Sequence, residues 1–248
     1  MEFPVYIGWG DWQVHPHVLF ELMAFFVGFR YFLFLRKKQE DPISTPNRVI
    51  ILLAAALGAL IGSRVLGVME NWPLFLEGGG EQGWLYFITQ KTILGGLLGG
   101  LWSVEIAKYF LKEQTSSGDL FVYPLILGMF IGRIGCFLSG LEDGTHGIPT
   151  TLPWGMDLGD GISRHPAALY EMIFLLLLWI CLRLWDKTGP RANGRRFQLF
   201  MIAYLAFRLG VDFLKPVYTF SFGLQSIQVA CLAGLVYYGW AWRNIPSK

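Results

Sequence analysis

Charge is scarce in this chain: 15% of its 248 residues are Asp, Glu, Lys or Arg, while 54% are apolar. That balance excludes an ordinary soluble domain, whose surface needs more polar cover, and a disordered segment, which is poor in apolar residues. A net charge of +2 with no basic stripe gives no argument for nucleic acid as a partner. Cysteine is also sparse. Cys136, Cys181 and Cys231 are odd in number and widely spread, which reads as buried thiols rather than a disulfide framework or a metal-ligand spacing. Of the four histidines, only His15 and His17 are near neighbours, and no third or fourth ligand is spaced with them, so neither a metal nor another cofactor is expected. The first sixteen residues have no basic n-region and no apolar h-region, and the first apolar run is expected to insert uncleaved.

What the chain has in abundance is apolar runs of near-spanning length. They predict an all-α polytopic membrane protein with seven spans: Val18 to Leu35, Val49 to Met69, Trp84 to Phe110, Leu120 to Leu138, Ala167 to Leu184, Phe197 to Leu214, and Gly223 to Trp242. No domain boundary interrupts residues 1–248, and residues 140–166, rich in Gly, Pro and Asp, read as an irregular extracytoplasmic segment. Cations set the orientation. Arg36, Lys37, Lys38 and Arg48, then Lys112, then Arg183, Lys187, Arg191, Arg195 and Arg196 fall in alternate loops, which places those loops in the cytoplasm, the N-terminus outside and the C-terminus inside. The glycines of Gly95-Gly96-Leu97-Leu98-Gly99-Gly100 fit close helix packing better than phosphate binding.

The stretch from Gly132 to Gly144 carries the strongest chemical signal. It sets Arg133, Glu142, Asp143 and four glycines at the outer end of an apolar helix. An arginine at the centre of a membrane helix costs at least ~2.5 to 3.5 kcal/mol on insertion scales, so its presence points to an anionic guest or an ion-pair network. The orientation brings further polar groups to the same level: His15, His17, Glu21, Arg64, His165, Glu171, Tyr204, Arg208 and Asp212. Tyr204, Arg208 and Asp212 recur every four residues and share one helical face, which cannot point at lipid. Arginine suits a phosphate because its planar fork donates two parallel hydrogen bonds.

These residues resemble the prolipoprotein diacylglyceryl transferases of bacterial plasma membranes. The resemblance rests on Gly132-Arg133-Ile134-Gly135-Cys136-Phe137 with Gly144 downstream, on Arg164-His165-Pro166 followed by Leu169-Tyr170-Glu171, and on Tyr204, Phe207-Arg208 and Asp212-Phe213. It implies transfer of diacylglycerol from phosphatidylglycerol to the cysteine thiol of a secreted lipoprotein precursor at the outer face of the inner membrane. It also implies that Arg133 and Arg208 hold the phosphate and that Asp212 and Tyr204 orient Arg208; Gly132, Gly135, Cys136, Ser139, Gly144, His165, Glu21 and Arg64 are the further candidates for the substrate site. The sequence departs from the family in five places. Leu94-Gly95-Gly96 stands where His-Gly-Gly is usual, Cys136 and Ser139 replace asparagines, Glu142 is displaced by one position, and Asp212 replaces a glutamate.

Without that histidine the base must come from elsewhere. Two sources stand open: the His15/His17 pair entering the first span, and the group Glu142, Asp143 and His146 just after the arginine motif, the latter favoured because it shares a short segment with Arg133. Three readings of function follow: a phosphatidylglycerol-dependent transferase with the precursor thiol or another acceptor, a non-catalytic protein that binds anionic phospholipid, and a small-anion transporter. The third lacks the internal duplication common in transporters.

Overall fold

The structure is a computed structural model that describes residues 3–9, 12–39, 41–189 and 192–244. Its helices are α1 (Pro16–Gln39), α2 (Thr45–Glu70), α3 (Trp72–Thr89), α4 (Ile93–Leu111), α5 (Val122–Ser139), α6 (Ala167–Asp186), α7 (Arg195–Val211) and α8 (Ser226–Asn244). Two small antiparallel pairs join them: β1 (Ile7–Trp9) with β2 (Trp12–Val14), and β3 (Met156–Asp157) with β4 (Ser163–Arg164).

Among the described residues, five helical stretches are long and apolar enough to cross a membrane: Pro16–Gln39, Thr45–Glu70, Asp119–Asp143, Ala167–Asp186 and Arg195–Leu214. Phe25, Leu57 and Leu177 are 72%, 61% and 56% exposed, as expected for side chains whose solvent is lipid. The predicted third span, Trp84 to Phe110, is not one helix. It breaks at residues 90–92, where the backbone of Gln90 and Thr92 is extended and the Thr92 hydroxyl accepts from Gly95 N at 3.2 Å, capping α4.

The chain forms two compact units, comprising residues 1–40, 117–216 and 240–248, and residues 41–116 and 217–239. In the second unit α2 and α4 approach until their backbones touch. A Cβ added at Gly62 would lie 2.4 Å from Gly95 O, and one at Gly99 would lie 2.3 Å from Gly58 O, so only glycine permits this packing. The glycine cluster of α4 is thereby used in helix contact. Leu94 beside it is fully buried.

The first unit is built on α1 against α5, with α6 and α7 beside α5. Phe32 of α1 stacks on Phe121, ring centroids 4.5 Å apart. At the same end the Asp119 carboxylate accepts from the backbone N–H groups of Gly194 (2.7 Å) and Phe197 (2.8 Å), satisfying donors that begin α7. At the opposite end the contact between α1 and α5 tightens. A Cβ at Gly135 would meet Phe20 Cβ at 2.8 Å and His17 Cα at 3.2 Å, so this glycine lets the start of α1 lie directly on the end of α5.

Candidate functional site

α5 ends because Gly140 takes a left-handed conformation, φ +59°, that most residues adopt only under strain. A single 3-10 turn, Gly140–Asp143, follows and closes on Gly144, φ +66°. These two glycines turn the chain through one residue set, which aims Glu142 and Asp143 back towards the start of α1. His15 Nε2 lies 3.1 Å from Glu142 Oε2, with the Tyr6 hydroxyl 3.4 Å from the same oxygen. His17 Nδ1 is in short contact with Asp143 Oδ1, and His17 Nε2 lies 3.6 Å from Glu21 Oε2. Thr145 donates its hydroxyl to Asp143 Oδ2 at 2.6 Å. Cys136 Sγ stands 3.9 Å from His17 Nδ1 and 3.5 Å from Arg133 Nη1. Of the two sources of base left open by the sequence, the His15/His17 pair and the group Glu142, Asp143 and His146, the histidine pair and the two carboxylates meet in one cluster.

A second polar network begins on the other side of Arg133. Its Nη2 lies 2.8 Å from Glu171 Oε2 on α6, and Arg208 Nη1 on α7 lies 4.0 Å from the same oxygen. The Tyr204 hydroxyl donates to Glu171 Oε1 at 2.8 Å. Asp212 holds Arg208 with two bonds, Nε to Oδ2 at 3.0 Å and Nη2 to Oδ1 at 2.8 Å, and receives Lys215 Nζ at 3.3 Å. Arg133, Glu171, Tyr204, Arg208 and Asp212 are all buried. Such burial requires pairing, because an isolated ion in a low-dielectric interior is strongly disfavoured. Within this network Arg133, Arg208 and Lys215 share the carboxylates of Glu171 and Asp212. One donor is left over: Arg133 Nε is buried and has no hydrogen-bond partner. A buried unsatisfied guanidinium donor is where an anionic oxygen is best received.

The other predicted site residues take varied places. Gly132 and Gly144 have open space where a side chain would project. Ser139 is fully buried and donates to Gly135 O at 2.8 Å, so its hydroxyl is used within its own helix. His165 Nδ1 lies 3.0 Å from the Tyr170 hydroxyl, which also receives Trp154 Nε1 at 2.9 Å. Arg64 belongs to the other unit, where its Nη1 donates to Gln90 O at 2.9 Å.

His146 has a buried, unpartnered Nδ1. Burial holds its pKa below the ordinary histidine value, and the nearby Arg164 guanidinium adds to the effect. In the β3–β4 hairpin, the Asp157 carboxylate accepts from the backbone N–H groups of Gly159, Asp160 and Gly161, which lowers its pKa, while Arg164 does the same for Asp160. These carboxylates therefore stabilise the hairpin.

Sequence reasoning gave Glu171 too small a part. It is the carboxylate through which Arg133 and Arg208 meet, and its signal was a lone acid one turn inside an apolar helix. Lys215, just past the apolar run of α7, carried no comparable signal.

With this geometry in place, comparison with known proteins gives consistent results. A family model described as prolipoprotein diacylglyceryl transferase matches residues 4–242. A phosphatidylglycerol–prolipoprotein diacylglyceryl transferase of Idiomarina loihiensis is 30% identical over 217 residues, 84% of this chain and 77% of that one. Proteins of the same description from Bordetella parapertussis (27% over 226 residues, 86% and 82% of the two chains) and Nitratidesulfovibrio vulgaris (30% over 233 residues, 86% and 81%) are also similar.

Proposed function

The chain belongs to the prolipoprotein diacylglyceryl transferase family, and from that premise we propose that it transfers a diacylglyceryl group from phosphatidylglycerol to the thiol of a lipoprotein precursor. The observation that carries this reading is the pair of buried arginines, Arg133 and Arg208, joined through Glu171 with Arg133 Nε unpartnered. Breaking the bond between glyceryl carbon and phosphate places negative charge on the departing phosphate. Preorganised donors aimed at that oxygen lower the barrier, and a buried guanidinium needs no reorganisation to do so. Arg133 receives the phosphate through its free Nε, while Arg208, fixed by Asp212 and Tyr204, supplies the opposing positive charge.

The acceptor thiol must lose its proton, because the thiolate is the nucleophile. In this reading the residues around His17 and Asp143, adjacent to Arg133 through Cys136, take over thiol activation from the histidine that Leu94 replaces. Glu142 and His15 form the rim over which an acceptor enters. The protein crosses the bacterial inner membrane seven times, with the N-terminus outside and this site at the outer leaflet, where both phosphatidylglycerol and a translocated precursor are within reach.

The deciding experiment mixes purified protein in phosphatidylglycerol vesicles with a peptide bearing a lipobox cysteine. Mass spectrometry is expected to find the peptide heavier by one diacylglyceryl group in thioether linkage, with glycerol phosphate released. One observation favours a second reading. Leu94 is fully buried where relatives are expected to carry a histidine, which suits a protein that binds the phospholipid without turning it over. Co-purifying phosphatidylglycerol with no transfer to any thiol would select that reading.

A further inference from the structure

His17 Nδ1, Cys136 Sγ and one Asp143 carboxylate oxygen all lie within 4.8 Å of one another, although they come from the first turn of α1, the end of α5 and the 3-10 turn beyond it. Sequence spacing gave the His15/His17 pair no further ligand, and the fold supplies two. The geometry points to a zinc site: we propose that His17, Cys136 and Asp143 bind Zn2+ and leave its fourth position to the acceptor thiol.

Three features carry the assignment. The first is the donor set. One imidazole nitrogen, one thiolate and one carboxylate form a mixture suited to Zn2+, and three protein ligands with an open position mark a catalytic rather than a structural zinc. The second is spacing. Zn–S of about 2.3 Å and Zn–N of about 2.0 Å at a tetrahedral angle put sulfur and nitrogen about 3.6 Å apart, and Cys136 Sγ stands 3.9 Å from His17 Nδ1. His17 Nδ1 and Asp143 Oδ1, in short contact here, part to about 3.3 Å when both bind the metal at tetrahedral geometry.

The third feature is the support behind the ligands. A zinc-bound histidine characteristically offers its other ring N–H to a carboxylate, and ligating carboxylates are themselves hydrogen-bonded. His17 turns Nδ1 to the trio and Nε2 to Glu21, 3.6 Å away. Asp143 turns Oδ1 to the trio and Oδ2 to the Thr145 hydroxyl at 2.6 Å. Asp143 is thus held from behind by Thr145, and His17 faces the Glu21 carboxylate. The charges also fit. The Cys136 thiolate and the Asp143 carboxylate offset the divalent ion, and the adjacent Arg133 is paired with Glu171.

The chemistry rests on the transferase reading above, though the metal site itself does not. A thiol that coordinates zinc is deprotonated outright. The bound sulfur uses an electron pair to form a C–S bond with the terminal glyceryl carbon. The C–O bond to phosphate breaks, its electrons pass to the phosphate oxygen held by Arg133 and Arg208, and the proton released by the thiol ends there. The neutral thioether is a poor ligand and leaves. In this chain zinc replaces the missing histidine base.

The test uses full-length protein without a polyhistidine tag, stripped with a chelator in detergent and titrated with Co2+ alone as a spectroscopic substitute for zinc. A sulfur-to-cobalt charge-transfer band is expected, displaced by Zn2+. It should vanish in Cys136→Ala and in the more conservative Cys136→Ser, while His17→Gln and Asp143→Asn weaken binding by at least about tenfold. Absence of the band, or its survival in a folded Cys136 variant, would overturn the site; the survival would assign the signal to Cys181 or Cys231. Transfer to the lipobox peptide, measured alongside, should stop on chelation and return with Zn2+. Undiminished transfer by metal-free protein would overturn zinc's catalytic role and leave the transferase reading intact. Cobalt binding through Cys136 without transfer would uphold the site and overturn the reading of function.

Discussion

The carboxylate of Glu171 sits 2.8 Å from Nη2 of Arg133, and both side chains are almost wholly withdrawn from solvent. This pair joins α6 to α5, and the same carboxylate accepts the Tyr204 hydroxyl of α7. Removing one member of a buried pair costs more than the pair contributes, because the remaining charge stays buried. Glu171→Gln leaves two guanidinium groups facing each other with no anion between them. We expect it to destabilise the protein by about 3 to 5 kcal/mol, read as a lowered Tm in detergent. An unchanged Tm would mean that water or lipid head groups reach the pair.

Arg208 is fixed by two bonds to Asp212, a geometry that a guanidinium makes and an ammonium cannot. Arg208→Lys keeps the charge opposite Asp212 and Glu171, so the variant should fold with a Tm near that of the parent. Transfer from phosphatidylglycerol should nevertheless fall by at least about tenfold, the value of one lost bidentate contact. Equal turnover at equal expression would reduce Arg208 to an ion-pair partner.

How much of this was legible beforehand differs between the two networks. The stripe of Tyr204, Arg208 and Asp212 was readable because helical periodicity alone puts residues four apart on one face. The apolar runs likewise gave the long helices, since run length is a local property. The break at residues 90–92 was hidden, because Gln90 and Lys91 are too few polar residues to interrupt an apolar window, and hydropathy does not register the side-chain cap of Thr92. The meeting of His17 with Cys136, 119 residues away, was beyond sequence reasoning. It depends on Gly135 admitting α1 to contact and on Gly140 turning Asp143 back, two consequences of packing that no spacing rule encodes.

Leu94 tests whether the site can be returned to the histidine-dependent form. Its side chain is fully buried beside Gly95, whose position admits no side chain because Gly62 O would lie 2.3 Å away. An imidazole there meets a close-packed apolar environment and brings a polar group without a partner, a change that costs about 1 to 3 kcal/mol. Leu94→His should therefore lower the Tm and add nothing to transfer. Increased transfer by this variant, in the same vesicle assay, would show that a histidine at position 94 still serves the reaction.

His146 gives the protein a predictable response to acid. Its Nδ1 is buried without a partner, and burial, with help from Arg164, holds the pKa below the ordinary histidine value. The unfolded chain titrates at about 6.5, so below that pH the unfolded state binds more protons than the folded one. The stability contributed by this group is therefore present above pH about 6.5 and lost as the pH falls through the folded-state value. Replacing it with a neutral side chain of similar reach, His146→Gln, removes that dependence. Comparing Tm for parent and variant at pH about 7.5 and about 5.5, on either side of the histidine range, should show a larger acid-induced fall in the parent. The difference isolates His146, because every other titrating group, including Asp143 and Asp160, whose charges reach it, is common to both proteins. Equal falls would place the His146 ring in contact with water and remove it from the buried edge of the site.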